Sequence, residues 1–200
     1  MQLPSNSHHL QVTGLILAGG RGTRMGGIDK GLVQFRQMPM VAHVIARLTP
    51  QVTSLMINAN RNLSAYAEFG VPVWPDREPD FAGPLAGLQA GLSHCATPYL
   101  ITAPCDSPFL PTDLVAHLAQ ALQNADADLA VAITDSDNAI QPHPVFMLLK
   151  TTLLADLSEF LASGGRKMET WYRRLNYTEA LFADDSAFRN INTEEELQKP

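Results

Sequence analysis

The chain has 200 residues, 46% of them apolar, enough for one domain with a sizeable buried core. No apolar run approaches the ~18 residues that span a bilayer, and a net charge of −6 disfavours the broad basic face of a nonspecific nucleic-acid binder. The two cysteines, Cys95 and Cys105, lack CxxC spacing, which argues against a metal knuckle and a disulfide framework and fits a reducing cytoplasm.

Residues 1–11 read as a loose polar tail, without the basic start and long apolar stretch of a signal peptide. Residues 12–198 read as a single domain. Its first strand, Leu15 to Leu17, runs into a loop with glycine at positions 19, 20, 22, 26 and 27. Glycine removes the Cβ that would block a polyphosphate, and it reaches positive φ, so that successive N–H groups can face one anion. Arg21, Arg24 and Lys30 add full positive charge. A nucleoside triphosphate site is therefore predicted here. No Gly-Lys-Ser/Thr follows, so the loop is not a Walker A motif. The segment Gly20-Arg21-Gly22-Thr23-Arg24-Met25 lacks the third glycine of a dinucleotide fingerprint.

Further elements follow in alternation. Pro39 opens a helix with Val41, Val44, Ile45 and Leu48 on one face. Leu55 to Ile57 is a strand running into Asn58-Ala59-Asn60, Leu63 to Phe69 a short helix, and Val71 to Trp74 a strand ending at Pro75-Asp76. Leu85, Leu88 and Leu92 mark a helix after Gly83-Pro84. Tyr99 to Ala103 is a strand with Pro104-Cys105-Asp106 at its end. A helix over 111–123 follows, then strands at 129–133 and 145–149, helices at 153–161 and 167–175, and a loop over Asp135 to Pro142. Thr193, with Glu196 three residues on, forms a capping box for a terminal helix. Strands alternating with helices predict a three-layer, Rossmann-like α/β fold with a mostly parallel sheet. In such sheets ligands bind at the carboxyl ends of the strands.

The candidate chemistry falls at those ends. Asp106, a lone carboxylate after a buried strand, suits Mg²⁺, which keeps most of its waters and takes one or two carboxylates plus substrate phosphates; the alternative is a cap on the next turn. Asn58 and Asn60 suit base or ribose contacts, or ordinary turn chemistry, and the same pair of roles is open to Asn190 and Asn192. His143, between two prolines, reads as a strand-edge residue rather than a base. Positive charge is local. Five basic side chains face one acid over residues 1–47, and Arg166, Lys167, Arg173 and Arg174 cluster around Glu169. Such pockets suit small phosphorylated ligands, with a metal ion adding charge. No general base is evident, and none is needed if the nucleophile is a phosphate monoester, already largely ionised at neutral pH.

Leu17-Ala18-Gly19-Gly20, Arg24-Met25-Gly26-Gly27, Asp29-Lys30-Gly31-Leu32, Asn58-Ala59-Asn60-Arg61, Gly83-Pro84-Leu85-Ala86-Gly87, Cys105-Asp106-Ser107-Pro108 and Asn190-Ile191-Asn192-Thr193 occur in an order that resembles the molybdenum cofactor guanylyltransferases over about residues 12–198. The resemblance implies the nucleotide-diphospho-sugar transferase-like fold. It also implies Mg²⁺-dependent transfer of GMP from GTP to the terminal phosphate of molybdenum-molybdopterin, with release of pyrophosphate. By the same resemblance, Leu17, Ala18, Gly19 and Gly20 hold the nucleotide and Lys30 contacts phosphate, with Arg24 beside it in the catalytic loop. Asn58 and Asp76 bind the nucleoside, and Asp106 serves nucleotide and metal. Arg166, Asn190 and Asn192 match the pterin side, Asn192 with a second metal contact. An aspartate such as Asp76 suits guanine, whose N1–H and N2 amino group can donate to its two oxygens. A cytoplasmic monomer meeting its biosynthetic and acceptor proteins transiently is expected, without nucleic acid or membrane. Two departures stand out. Lys167 occupies a place where the family often has arginine, and Gly22-Thr23 also resembles sugar-phosphate nucleotidyltransferases, whose chains are usually longer. A cytidylyltransferase of the same cofactor and a noncatalytic nucleotide-binding subunit are the other readings. Relatives that use CTP tend to carry Leu-Ala-Ala-Gly, so Gly19 is expected to make room for a purine.

Overall fold

The structure, a computed structural model, describes residues 10–18, 29–77, 83–136 and 139–191. The glycine loop from Gly19, including Gly20 and Arg24, lies outside the described residues, as do Asn192 and the expected terminal helix.

Among the described residues, seven strands form one sheet: β1 (Val12–Leu17), β4 (Ser54–Asn58), β5 (Val73–Trp74), β6 (Tyr99–Pro104), β7 (Leu129–Ser136), β8 (Ala139–Lys150) and β9 (Tyr177–Phe182), in the order β5-β4-β1-β6-β8-β7-β9. The pairs β5–β4, β4–β1, β1–β6 and β7–β9 are parallel, and β8 runs antiparallel to both β6 and β7. The minor strands β2 (Gln34–Phe35) and β3 (Met38–Pro39) make a separate hairpin.

Side-chain alternation along the strands assigns the two faces. Ile16, Ile57 and Ile101 point to one side, where they meet α1 (Met40–Leu48) and α4 (Leu114–Asn124) through Val41, Val44, Leu48, Leu114, Leu118 and Leu122. Leu15, Met56 and Leu100 point to the other, against α3 (Pro84–His94), α5 (Leu154–Ala162) and α6 (Met168–Tyr172) through Leu85, Leu88, Leu157, Leu161 and Trp171. Strands apolar on both faces are what a covered parallel sheet requires. The remaining helix, α2 (Leu63–Ala67), sends the buried Tyr66 into the first of these cores. The short stretch Leu15 to Leu17 predicted as a strand extends back to Val12, and the helices fall within a few residues of their predicted positions.

Three features differ from the sequence reading. The expected loop over Asp135 to Pro142 forms the arms of the β7–β8 hairpin, with Ile133 opposite Pro142 and Asp135 opposite Ile140. These arms reach past the core, as the exposed Ile140 shows, so their sequence carries little apolar alternation. Strand β9 is an unforeseen edge strand: its central Glu179 and Ala180 are poor strand formers, but Ala180 and Phe182 bury against the core. The β2–β3 hairpin turns through Arg36 and Gln37, both at positive φ (48° and 68°), without the glycine or asparagine that normally marks such a turn. Cys95 and Cys105 are free thiols, the first half-buried and the second buried.

His143 lies within β8. The single Thr134 hydroxyl hydrogen is donated to Asp185 Oδ1 (2.7 Å), so Thr134 Oγ1 accepts from His143 Nε2–H (2.9 Å), and the imidazole stacks on Phe188 at 4.6 Å. Burial holds the imidazole below its ordinary range, opposed by nearby Asp185. Between the folded value and about 6.5 the unfolded chain therefore binds more protons, and stability is lost as pH falls through this window. The melting temperature is expected to drop between about pH 7.5 and pH 5.5, and to drop less in His143→Gln. Parallel thermal melts of the two proteins check this; equal slopes would show that His143 contributes nothing.

Candidate functional site

The parallel strands β1, β4, β5 and β6 end side by side, and their carboxyl ends carry Ala18, Asn58, Asp76 and Asp106. Hydrogen bonds extend the sheet past its formal limits. Ala18 N–H donates to Asn58 O (2.8 Å), Ala59 N–H to Trp74 O (3.1 Å) and Cys105 N–H to Leu17 O (3.0 Å). The Ala18 amide and Leu17 carbonyl are thus used in holding the strand ends together. These residues form a rigid floor, while the segment that continues from them lies outside the described residues.

On this floor the structure brings two groups of predicted residues together. In the first, Lys30 Nζ lies 3.2 Å from Asp106 Oδ2, with the side chains 24% and 14% exposed. Lys30 arrives on a 3-10 turn (Lys30–Leu32), and Asp106 leaves β6 through the buried Cys105. Burial, followed by the charges of Asp106 and Asp29, pushes the Cys105 thiol far above its ordinary range, so it stays protonated and serves as packing. Asp29 does not pair with its neighbour Lys30. It faces the opposite way, toward Arg61, Asn62 and Tyr66.

In the second group, Asn58 Nδ2 donates to Asp76 Oδ1 (2.9 Å) and to Trp74 O (3.0 Å). Asn60 Nδ2 donates to Asp76 Oδ2 (2.8 Å), and Asp76 N–H returns a bond to Asn60 Oδ1 (2.8 Å). Both carboxylate oxygens of Asp76 therefore already accept one amide bond. An ionised carboxylate has about four acceptor sites, so each oxygen retains capacity for a ligand N–H. Asn60 is thus tied to Asp76 through both ends of its amide.

Of the residues matched to the pterin side, Asn190 Oδ1 accepts from Ser107 Oγ (2.6 Å), and the next amide, Ile191 N–H, donates to Asp106 O (3.0 Å). The chain near its end is thereby laid directly along the Asp106 loop. Arg166 is placed differently: its Nη1 donates to the carbonyls of Leu161 (3.0 Å) and Gly165 (2.7 Å), capping the end of α5.

Gly87 carries a role that its sequence position did not reveal. A Cβ there would collide with Asn58 Oδ1 and stand 2.8 Å from Leu17 Cδ2, so only glycine lets α3 pass this close to the strand ends. The quoted motif Gly83-Pro84-Leu85-Ala86-Gly87 contained it, but the reason is a packing distance between two elements.

Among the described residues, no group of three or more His, Cys, Asp and Glu side chains could cage a metal. The donor set does fit Mg²⁺ held by a single carboxylate. Asp106 Oδ2 meets Lys30, whereas Oδ1 accepts no hydrogen bond from a described residue, and this ion draws its other ligands from water and substrate phosphates.

A mostly parallel sheet flanked by helices, with lysine, aspartate and asparagine gathered at its carboxyl edge, defines a nucleotidyltransferase-type α/β domain. The chain belongs to the MobA-like NTP transferase family, whose domain matches residues 14–179. It is 60% identical over 188 residues to a molybdenum cofactor guanylyltransferase of Cupriavidus necator, covering 94% of each chain, and 60% identical over 188 residues to one from Cupriavidus taiwanensis, again covering 94% of each. The fold matches the crystal structure of molybdopterin-guanine dinucleotide biosynthesis protein A from Archaeoglobus fulgidus with a TM-score of 0.74 at 23% identity, over 93% of this chain and 95% of that one. No helix among the described residues is long and apolar enough to cross a membrane.

Proposed function

We propose that this chain transfers the GMP part of GTP to the terminal phosphate of molybdenum-molybdopterin, giving the guanine dinucleotide form of the cofactor and pyrophosphate. The observation that carries this reading is the pairing of Lys30 with Asp106, beside the Asn58–Asp76 group, in a chain so similar to named guanylyltransferases. A phosphate-monoester oxygen of the acceptor attacks the α-phosphorus of GTP. The bond from that phosphorus to the bridging oxygen breaks, and the electron pair leaves with pyrophosphate. The nucleophile is already ionised, so the protein aligns the reactants and neutralises charge without removing a proton.

Lys30 serves the triphosphate as a cation on a fixed turn, and Arg24 and the amides of Gly19 and Gly20 belong to the same phosphate-holding loop. Asp106 would hold Mg²⁺, which supplies positive charge against the phosphate oxygens and the leaving group when bound. Asp76, aimed by Asn58 and Asn60, reads guanine by accepting from N1–H and the N2 amino group. Asn190, Asn192 and Arg166 serve the pterin-bearing acceptor. The chain acts in the cytoplasm as a monomer with transient partners. Label position tests the reaction. With the purified protein, Mg²⁺ and the loaded pterin cofactor, phosphorus label in the α position of GTP should appear in the cofactor and label in the γ position in pyrophosphate. Retention of α-label in free nucleotide would reject the reading.

Gly87→Ala offers a test of the nucleoside side. The added methyl displaces Asn58 and with it Asp76, so GTP affinity is expected to fall about 10-fold, within the range for one misplaced contact. Gly91→Ala, which meets Leu15 in the core instead, should lower the melting temperature and leave the affinity of the folded protein unchanged. Equal affinity loss in both variants would show that Gly87 matters only for packing.

A further inference from the structure

The Asp29 carboxylate is buried, with its side chain 5% exposed, and lies outside the reacting groups described above. Its Oδ1 accepts from Tyr66 Oη–H at 2.6 Å, its Oδ2 accepts from Asn62 Nδ2 at 3.0 Å, and Arg61 Nε stands 3.6 Å from the same oxygen. All three partners come from one segment, 61–66, at the start of α2. Asn62 holds the left-handed conformation there (φ 52°), and Tyr66 is fully buried. Burial pushes the Tyr66 hydroxyl far above its ordinary range, with Cys105 and the bond to Asp29 acting in the same direction, so it remains a donor.

The backbone of the same residue starts the turn that carries Lys30. Asp29 O accepts from Leu32 N–H (3.0 Å), and Lys30 O accepts from Val33 N–H (3.1 Å). Gly31 then passes so close to Tyr66 that a Cβ would collide with the hydroxyl, and it would stand 3.2 Å from Cys105 Sγ. Three parts of the chain meet at this point: the turn of Lys30, the start of α2, and the strand end that delivers Asp106. A carboxylate in this position costs desolvation and returns little stability beyond what apolar packing would give. Its use is geometric, because a short charge-assisted bond fixes the turn on one side while Lys30 projects from the other.

We propose that Asp29 is a positioning residue, held by Tyr66 and Asn62, that fixes the turn of Lys30 so that its ammonium stands at Asp106 and meets the incoming triphosphate. This rests on the reading of Lys30 as the phosphate contact. It goes beyond that reading by making the placement of Lys30 depend on a buried network that touches no substrate.

A double-mutant cycle on nucleotide affinity separates positioning from mere support of the fold. Calorimetry would be run on the full chain, Tyr66→Phe, Lys30→Ala and the double variant, with whichever of the four Mg²⁺–NTPs the parent binds most tightly. Tyr66→Phe keeps the ring and removes only the hydroxyl; Asp29→Asn serves as the second variant should it misfold. If the network acts through Lys30, either variant weakens nucleotide binding by about 10-fold when Lys30 is present and by less than about 2-fold in Lys30→Ala, a loss in keeping with a contact shifted by a fraction of an ångström. Equal weakening in both backgrounds, or a lowered melting temperature with unchanged affinity, would overturn the inference while leaving the proposed reaction intact. Failure of the parent chain to bind any of the four nucleotides would overturn the reaction and the inference with it.

Discussion

Asp106→Ala is expected to lower kcat for pyrophosphate release by about 10²- to 10³-fold at saturating GTP and Mg²⁺, the loss typical of removing one preorganised electrostatic contact to a developing charge. Asp106 stands at the end of β6 with one oxygen toward Lys30 and the other accepting no bond from a described residue. The variant loses the carboxylate suited to the ion and the ion pair that this carboxylate makes with Lys30. The fold should survive, because Asp106 is held in the chain by its backbone, where its carbonyl accepts from Ile191 N–H. Steady-state kinetics with a coupled pyrophosphate assay decide the matter. Near-normal turnover would remove Asp106 from the reaction and leave it a loop residue.

The second large effect is expected at Lys30. Lys30→Ala should lower kcat/KM for GTP by about 10²-fold, since a full positive charge facing phosphate oxygens in a partly desolvated site is lost. Its effect on the apo-protein should be small. Partly exposed ion pairs contribute about 0–1 kcal/mol, which in a chain of this size shifts the melting temperature by no more than about 2–4 °C. The pairing favours this separation, since Lys30 engages Asp106 rather than the buried Asp29 network. Kinetics and thermal melts on the same preparation check it. Intact turnover with a large loss of stability would make Lys30 structural.

Much of this architecture was legible in the sequence because burial on both faces writes itself into composition. Leu15-Ile16, Met56-Ile57 and Leu100-Ile101 are apolar in succession, as a covered parallel strand must be, and the strand ends they lead to carry Ala18, Asn58 and Asp106. The β7–β8 hairpin arms carry a loop-like sequence because they extend beyond the core, where no burial imposes alternation on Asp135 to Pro142. Strand β9 escaped because an edge strand with Glu179 in its middle is specified by its partner and by two buried side chains, not by local propensity. At the site, charged and amide residues after strands could be named, but their partners could not. That Asn60 aims Asp76, that Asp29 turns away from Lys30 toward Tyr66, and that Gly87 is shaped around Asn58 are all relations between segments distant in sequence. The bonds from Arg166 to the carbonyls of Leu161, in the last turn of α5, and of Gly165, just beyond it, are likewise relations that residue type alone does not give.

The most direct measurement of the central claim is pyrophosphate release by the purified chain given Mg²⁺, the loaded pterin cofactor and each of the four nucleoside triphosphates in turn. On the proposed reading, Asp76 with its two amide-held oxygens reads guanine and Gly19 makes room for it. Release is therefore expected with GTP, dependent on both Mg²⁺ and the cofactor, with CTP, ATP and UTP well below it. Preferential use of CTP, or pyrophosphate release that does not require the pterin cofactor, would contradict the account.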